Sequence, residues 1–133
     1  MSQVNEKLLN IAPDLTRSPP RRPQALLGSY ALAARALDKC RAALAGRAGP
    51  YHFNCPVDRI FLNFSRIKAE DFEQFVAGGA TDSEVAVWIA KKSRVKNPSL
   101  VAVWSLLLRL NPLLYGLNID DWMYSRKIQS PKV

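Results

Sequence analysis

The feature that most constrains the fold is an apolar stripe at helical spacing within residues 24–45. Its members follow one another at intervals of four, three, four, three and four positions: Leu26, Tyr30, Ala33, Leu37, Cys40 and Leu44. Such spacing places them on one face of an α-helix. The charged residues of this stretch mostly fall off that face: Arg35, Asp38, Lys39 and Arg41. The pattern predicts a helix over 24–45 that ends at Gly46, with Cys40 as a small buried residue.

Three shorter segments also have helical patterns. Pro56 suits the first position of a helix whose apolar face comprises Val57, Ile60, Phe61 and Phe64. A further helix is expected over about 69–77. Thr81 and Glu84 have the spacing of a capping box, which opens a helix that ends near Lys92.

A fifth helix is expected from Asn97-Pro98 to about Leu110, and it has almost no polar face. Such a helix lies in the centre of a core or against a partner, so residues 98–117 are the predicted surface of a homodimer. Arg109 and Pro112 interrupt the apolar run well short of the roughly 20 residues that a membrane span needs, so no membrane contact is expected.

The ends of the chain complete the predicted architecture. Residues 118–124 form a short capped helix, and the prolines of residues 18–23 favour extended backbone. We therefore expect an all-α fold: a compact bundle of five or six short helices over 24–133, preceded by an extended Pro/Arg-rich N-terminal arm over 1–23. With two cysteines and no apolar leader, the expected location is the cytoplasm.

The net charge of +8 is unevenly distributed. Lys and Arg outnumber Asp and Glu by eight to three in residues 1–50 and by eight to two in residues 91–133, but are outnumbered three to six between them. A polyanion such as a nucleic acid could contact the basic ends, although a solvated basic surface is the commoner explanation. The candidate anion contacts are Arg17, Arg21, Arg22, Lys91, Lys92, Arg94 and Lys96. A helix-turn-helix over 69–92 is disfavoured because Asp82 and Glu84 would face phosphates.

Cys55 and His52 are the candidate catalytic residues. A thiol at a helix N-terminus lies near free amides that stabilise a thiolate, and His52, three residues earlier, could accept its proton. Against this, Asp58 opposes a thiolate, and the second cysteine of a CxxC motif is missing. The favoured interpretation is a half-buried cysteine that caps the helix, with His52 hydrogen-bonded in the loop. One histidine and unpaired cysteines also argue against a metal site or another cofactor.

Several segments together resemble a family of uncharacterised bacterial proteins, domain of unknown function 5069. The similarity covers roughly residues 12–90, and its most specific part is Tyr51-His52-Phe53-Asn54-Cys55-Pro56-Val57-Asp58. Other matching segments are Leu27-Gly28-Ser29-Tyr30 and Leu37-Asp38-Lys39-Cys40-Arg41-Ala42. The resemblance implies no activity, cofactor or catalytic residue.

No specific activity follows from these patterns. The leading hypothesis is a non-catalytic binding or interaction module. The alternatives are a thiol-dependent enzyme that uses Cys55 with His52, and a module that binds a polyanion through the basic ends.

Overall fold

Helix α2 (Ala33–Leu44) lies at the centre of the fold. The computed structural model describes residues 5–129 of the chain, and in it every residue from Ala33 to Ala42 is buried. The remaining helices supply the apolar side chains that surround α2, chiefly Leu8, Phe61, Phe72, Val76, Val85 and Ile89. A helix buried on all sides cannot direct its charged residues to water, and this determines where the polar groups of the protein meet.

Within the described residues, seven helices and one two-stranded sheet follow in chain order. They are α1 (Glu6–Ile11), β1 (Leu26–Leu27), β2 (Tyr30–Ala31), α2, α3 (Pro56–Ser65), α4 (Ala69–Ala77), α5 (Asp82–Lys92), α6 (Pro98–Arg109) and α7 (Pro112–Gln129). The predicted helical fold is confirmed, with more helices than the five or six expected. The helices predicted to begin at Pro56, Ala69, Asp82 and Pro98 all form, and the Thr81–Glu84 capping box is present.

The helix predicted over 24–45 is wrong in its first third. Residues 26–31 form an antiparallel hairpin instead, in which Leu26 pairs with Ala31 and Leu27 with Tyr30. Leu32, just before α2, has the left-handed backbone conformation (φ 69°), which no α-helix can continue. Ser105 of α6 holds the hairpin, because its hydroxyl donates to Ser29 O and accepts from Ala31 N.

The N-terminal arm also differs from the prediction. Its residues 6–11 form α1, which Asn5 caps by accepting a hydrogen bond from Lys7 N (2.7 Å), and Leu8 inserts into the core. The chain of α1 passes so close to Gly79 (φ 84°) that a Cβ at that position would overlap Lys7 and the backbone of Leu8. Helix α1 is thus held on the domain by the burial of Leu8 and by its close packing on Gly79. The sequence had predicted only extended backbone here.

The C-terminal helix is longer than the predicted segment 118–124. Helix α7 begins at Pro112, three residues after α6 ends at Arg109, and the two helices are bent by 59° at their junction. Leu114 and Asp121 lie on its inner face and are buried, and Leu117 packs against the core from the same side. Helix α7 thus covers the surface formed by α2 and the loop of residues 46–55.

Candidate functional site

The four charged side chains of α2 are buried, and each pairs with a residue of another element. Arg35 pairs with Asp121 of α7, Asp38 with Arg21 of the arm, Lys39 with Asp58 of α3, and Arg41 with Asp82 of α5. Burial of a charge is tolerated only with a partner, so these pairs determine which elements surround α2. Nothing local in the sequence marks these pairs, because the partners lie up to 86 positions away along the chain.

Arg21, which the sequence suggested as an anion contact, is instead bound to carboxylates of the protein itself. Its guanidinium donates to Asp38 (2.9 and 3.1 Å) and to Asp82 (2.8 Å). Arg41 donates to the same carboxylate of Asp82 (2.8 Å) and to Ala80 O (2.7 Å). Burial raises the pKa of Asp82, but the hydrogen bonds from Arg21 and Arg41 outweigh it and hold that pKa below its usual value.

Cys55 lies at the N-cap of α3, as the sequence predicted. Asp58 stabilises this entrance, because its carboxylate accepts from Asn54 N (2.9 Å) and from Cys55 N (3.4 Å). Lys39 of α2 lies between the two side chains, with its Nζ 3.1 Å from Cys55 Sγ and 3.0 Å from Asp58 Oδ1. The residue that contacts the thiol is therefore a buried lysine.

His52 does not contact the thiol. It is exposed, and within residues 5–129 its ring forms no hydrogen bond, either in the loop or with Cys55. Both side chains nevertheless line the same cavity. Cys40 is buried as predicted, and burial raises the pKa of its thiol above the usual range, so it has no reactive form near neutrality. Nucleophilic chemistry at Cys55 stays a prediction.

The cavity beside Cys55 has a volume of about 310 Å³ and lies between α2, the 46–55 loop, α3 and α7. On its α7 side, Asp121 accepts two hydrogen bonds from Arg35 (2.7 and 3.1 Å) and one from the Tyr51 hydroxyl (3.0 Å). Tyr51 packs edge-on against Tyr124, whose hydroxyl donates to Leu15 O (2.6 Å). Burial, followed by the hydrogen bond to Asp121, raises the pKa of Tyr51 above its usual range, so its hydroxyl remains a donor.

The other predicted anion contacts are exposed and lie on several elements. Arg17 and Arg22 belong to the arm, Lys91 and Lys92 to the end of α5, and Arg94 and Lys96 to the segment before α6. Two of them have partners within the chain: Arg17 lies 3.8 Å from Asp14, and Lys96 donates to Lys91 O (2.9 Å). Their role toward a polyanion stays a prediction.

The outer faces of α6 and α7 expose many large apolar side chains. They are Leu100, Val103, Leu106, Leu107, Leu110, Leu113, Tyr115, Ile119, Trp122 and Met123, and we call them the outer apolar face. Leu113 is the most exposed of them, with 83% of its surface accessible to solvent. Leu106, Leu110 and Tyr115 line one notch together with Arg22, Gln24 and Arg109, and at this notch the members on α6 adjoin those on α7. Helix α6 packs on the hairpin through the side that carries Ser105, and its opposite, mostly apolar side is uncovered.

Among residues 5–129, no single helix has the length and apolar composition to cross a membrane, whereas α6 and α7 taken together meet that test despite the bend between them. In the same residues, no three His, Cys, Asp or Glu side chains are grouped closely enough to hold a metal ion.

These features define a small helical domain built around a buried, charged central helix, with a cavity of mixed polar and apolar lining on one side and an uncovered apolar face on another. The chain belongs to the family described as domain of unknown function DUF5069, whose model matches residues 17–112. The match ends where α7 begins. No curated protein matches the chain.

Proposed function

We propose that this protein is a non-catalytic interaction module that pairs with a second copy of itself through the outer apolar face. The observation that carries the proposal is the size and continuity of that face on α6 and α7. Seven of its ten members lie in the 98–117 segment that the sequence singled out, and the other three extend it along α7 to Met123.

The area of the face supports a protein partner. From the exposed fractions of its ten members, the uncovered surface is on the order of 1,000 Å², whereas the largest apolar patch on a typical monomer is about 300–600 Å². A stable interface of standard size needs about 800 Å² from each partner. The face alone therefore supplies what one side of a homodimer requires.

The composition of the face favours an identical partner. In a two-fold interface the same patch meets itself, so a charge near the axis would face a like charge. The ten members are apolar; Arg22 and Arg109 line the notch beside Leu106, Leu110 and Tyr115, and Arg126 stacks over Trp122. Long arginine side chains can extend to the rim of an interface, so two such faces can pack helix against helix through their leucines.

The experiment is sedimentation equilibrium on the full chain and on two matched variants. Leu106→Arg places a charge within the face, where Leu106 is 50% exposed, and Val87→Arg makes the same change on α5 outside the face, where Val87 is 56% exposed. We expect a dimer for the unmodified chain and for V87R. We expect at least tenfold weaker association for L106R, because a buried interface charge must be desolvated.

Two results would overturn the proposal. A monomer at every concentration of the unmodified chain excludes the second copy. Binding of the monomer to phosphatidylcholine vesicles, lost in L106R and kept in V87R, would show that the occupant of the face is a lipid surface instead.

A further inference from the structure

The cavity beside Cys55 has the features of a small-molecule site, which is separate from the outer apolar face. Its volume of about 310 Å³ lies at the lower end of the roughly 300–1,000 Å³ of ligand pockets. Polar groups from three elements converge on it: Lys39 from α2, Tyr51 and His52 from the loop, and Asp121 from α7. Pockets with a few convergent polar groups in an apolar wall are the usual form of a binding site.

Lys39 offers this cavity a hydrogen-bond donor. An ammonium group has three N–H bonds, and one of them is directed at Cys55 Sγ. Nζ also lies 3.0 Å from Asp58 Oδ1 in a buried ion pair, which occupies a second N–H bond. The described residues provide no further acceptor for Lys39 Nζ, although its side chain is only 4% exposed. The third N–H bond of the ammonium therefore remains for an acceptor from outside the chain.

The carboxylates near the cavity do not favour a cationic ligand. Asp121 is occupied by Arg35 and Tyr51, and Asp58 lies behind Lys39, outside the cavity lining. The exposed carboxylate of Asp120 also lines the cavity, and its repulsion keeps the affinity for an anion modest. The rest of the wall is largely carbon, from Pro50, Val57, Leu117 and the rings of Tyr51 and Tyr124.

We propose that this cavity binds a small organic oxyanion, a carboxylate or a phosphate monoester. The charged end accepts a hydrogen bond from Lys39, and an apolar body contacts Val57 and Leu117. The segments on which the family resemblance rests, 37–42 and 51–58, meet here through Lys39 and Cys55.

The experiment is a titration of the ¹⁵N-labelled full chain, followed by the amide NMR signals of residues 50–57 and 117–124. The probes are benzoate, phenyl phosphate and the neutral benzyl alcohol, each added up to about 20 mM, which exceeds a Kd of the order of 1 mM. We expect saturable shifts at these amides with at least one of the two anions and at least tenfold weaker binding of benzyl alcohol. The anion that binds more tightly identifies the class of headgroup.

Two variants test the location without altering any charge. Leu117→Trp fills the cavity, and Val87→Trp places the same side chain on the exposed side of α5, outside both the cavity and the outer apolar face. We expect L117W to abolish the shifts and V87W to keep them. Absence of saturable shifts with both anions, equal binding of benzyl alcohol, or unchanged binding in L117W would each overturn the proposal.

Discussion

Lys39 and Asp58 form an ion pair that water hardly reaches, with side chains 4% and 1% exposed. Removal of one partner leaves the other charge buried alone, which costs about 3–5 kcal/mol. We expect Lys39→Met to lower the free energy of unfolding by that amount in urea denaturation.

The matched control for this variant is the double change K39M/D58N. An asparagine keeps an oxygen for Asn54 N and Cys55 N but carries no charge, so the double variant should regain at least about 1 kcal/mol over K39M. If D58N gives no recovery in the K39M background, the two residues do not act as a pair.

Alanine substitutions at three glycines distinguish the free energy of an unfavourable backbone dihedral from that of steric overlap. Gly46 has a positive φ (73°) in open space, Gly79 has a positive φ (84°) against α1, and Gly116 lies in α7 with free space around it. In thermal unfolding we expect Gly46→Ala to cost about 1–2 kcal/mol for the dihedral alone. Gly79→Ala should cost a further 1–3 kcal/mol, roughly, for overlap with α1.

Gly116→Ala is the control for these two substitutions. Alanine suits a helix interior better than glycine, so G116A should stabilise the protein by about 0.5–1 kcal/mol. Equal effects of G46A and G79A would show that α1 does not lie against Gly79.

Asp82 makes stability depend on acidity. Burial raises its pKa, but the hydrogen bonds from Arg21 and Arg41 lower it by a larger amount. The folded-state pKa therefore lies below the value of 3.8 expected for the unfolded chain. The stabilisation is therefore complete above about pH 4 and is lost as the pH falls through the folded-state value. Because Asp82 is 47% exposed but its partner Arg41 is only 6% exposed, we expect Asp82→Asn to cost about 1–2 kcal/mol at pH 7.

Urea denaturation at pH 7 and at pH 3 checks this expectation. The difference between D82N and the unmodified chain should shrink at pH 3, because below about pH 4 the aspartate of the unfolded chain takes up a proton that the folded chain binds less readily. A difference that grows on acidification contradicts the assigned direction of the shift.

The sequence predicts the residues whose roles are set locally. Cys55 was placed at the N-cap because Pro56 and Asp58 follow it, and the structure confirms this position. Lys39 was not assigned to the site, because its partners approach from α3 and its own helix pattern places it off the apolar stripe. A charged residue that is buried only by later elements leaves no signal in a periodicity analysis.

At the scale of elements, α7 is held to the body of the protein by a few polar contacts. Asp121 joins it to Arg35 and Tyr51, while its neighbour Asp120 is exposed. We expect Asp121→Ala to cost about 3 kcal/mol, since it leaves the buried Arg35 without its carboxylate, and Asp120→Ala to cost less than about 0.5 kcal/mol.

Amide hydrogen exchange shows which part of the protein D121A destabilises. In D121A the amides of residues 112–129 should exchange faster while those of α2 stay protected, because α7 can open without the core. A uniform loss of protection would show that α7 unfolds only together with the rest of the domain.

Helices α4 and α5 were predicted well, whereas the first third of the predicted helix over 24–45 was not. Leu27 and Tyr30 are buried in the hairpin, and apolar spacing alone does not distinguish a hairpin from a helical turn over so few residues. The hairpin depends on Ser105, which lies 74 positions after Ala31. The hairpin ends at Leu32, which has a left-handed backbone conformation. The sequence does not indicate this conformation, because a leucine rather than a glycine occupies the position.

At the scale of the whole molecule, two properties compete. The net charge of +8 makes two copies repel each other, while the outer apolar face favours their association. Salt separates these contributions, since it screens the repulsion between exposed charges and leaves apolar contacts largely intact.

We therefore expect the proposed dimer to become tighter when the ionic strength rises from about 50 mM to about 500 mM, as the Debye length shortens from about 14 Å to about 4 Å. Binding of a polyanion by the basic ends would show the opposite dependence, because salt competes with lysine and arginine for phosphates. Sedimentation equilibrium of the full chain, and fluorescence anisotropy with a labelled duplex DNA, measure the two effects on one preparation. Self-association that weakens with salt would contradict an apolar interface and indicate contacts between opposite charges.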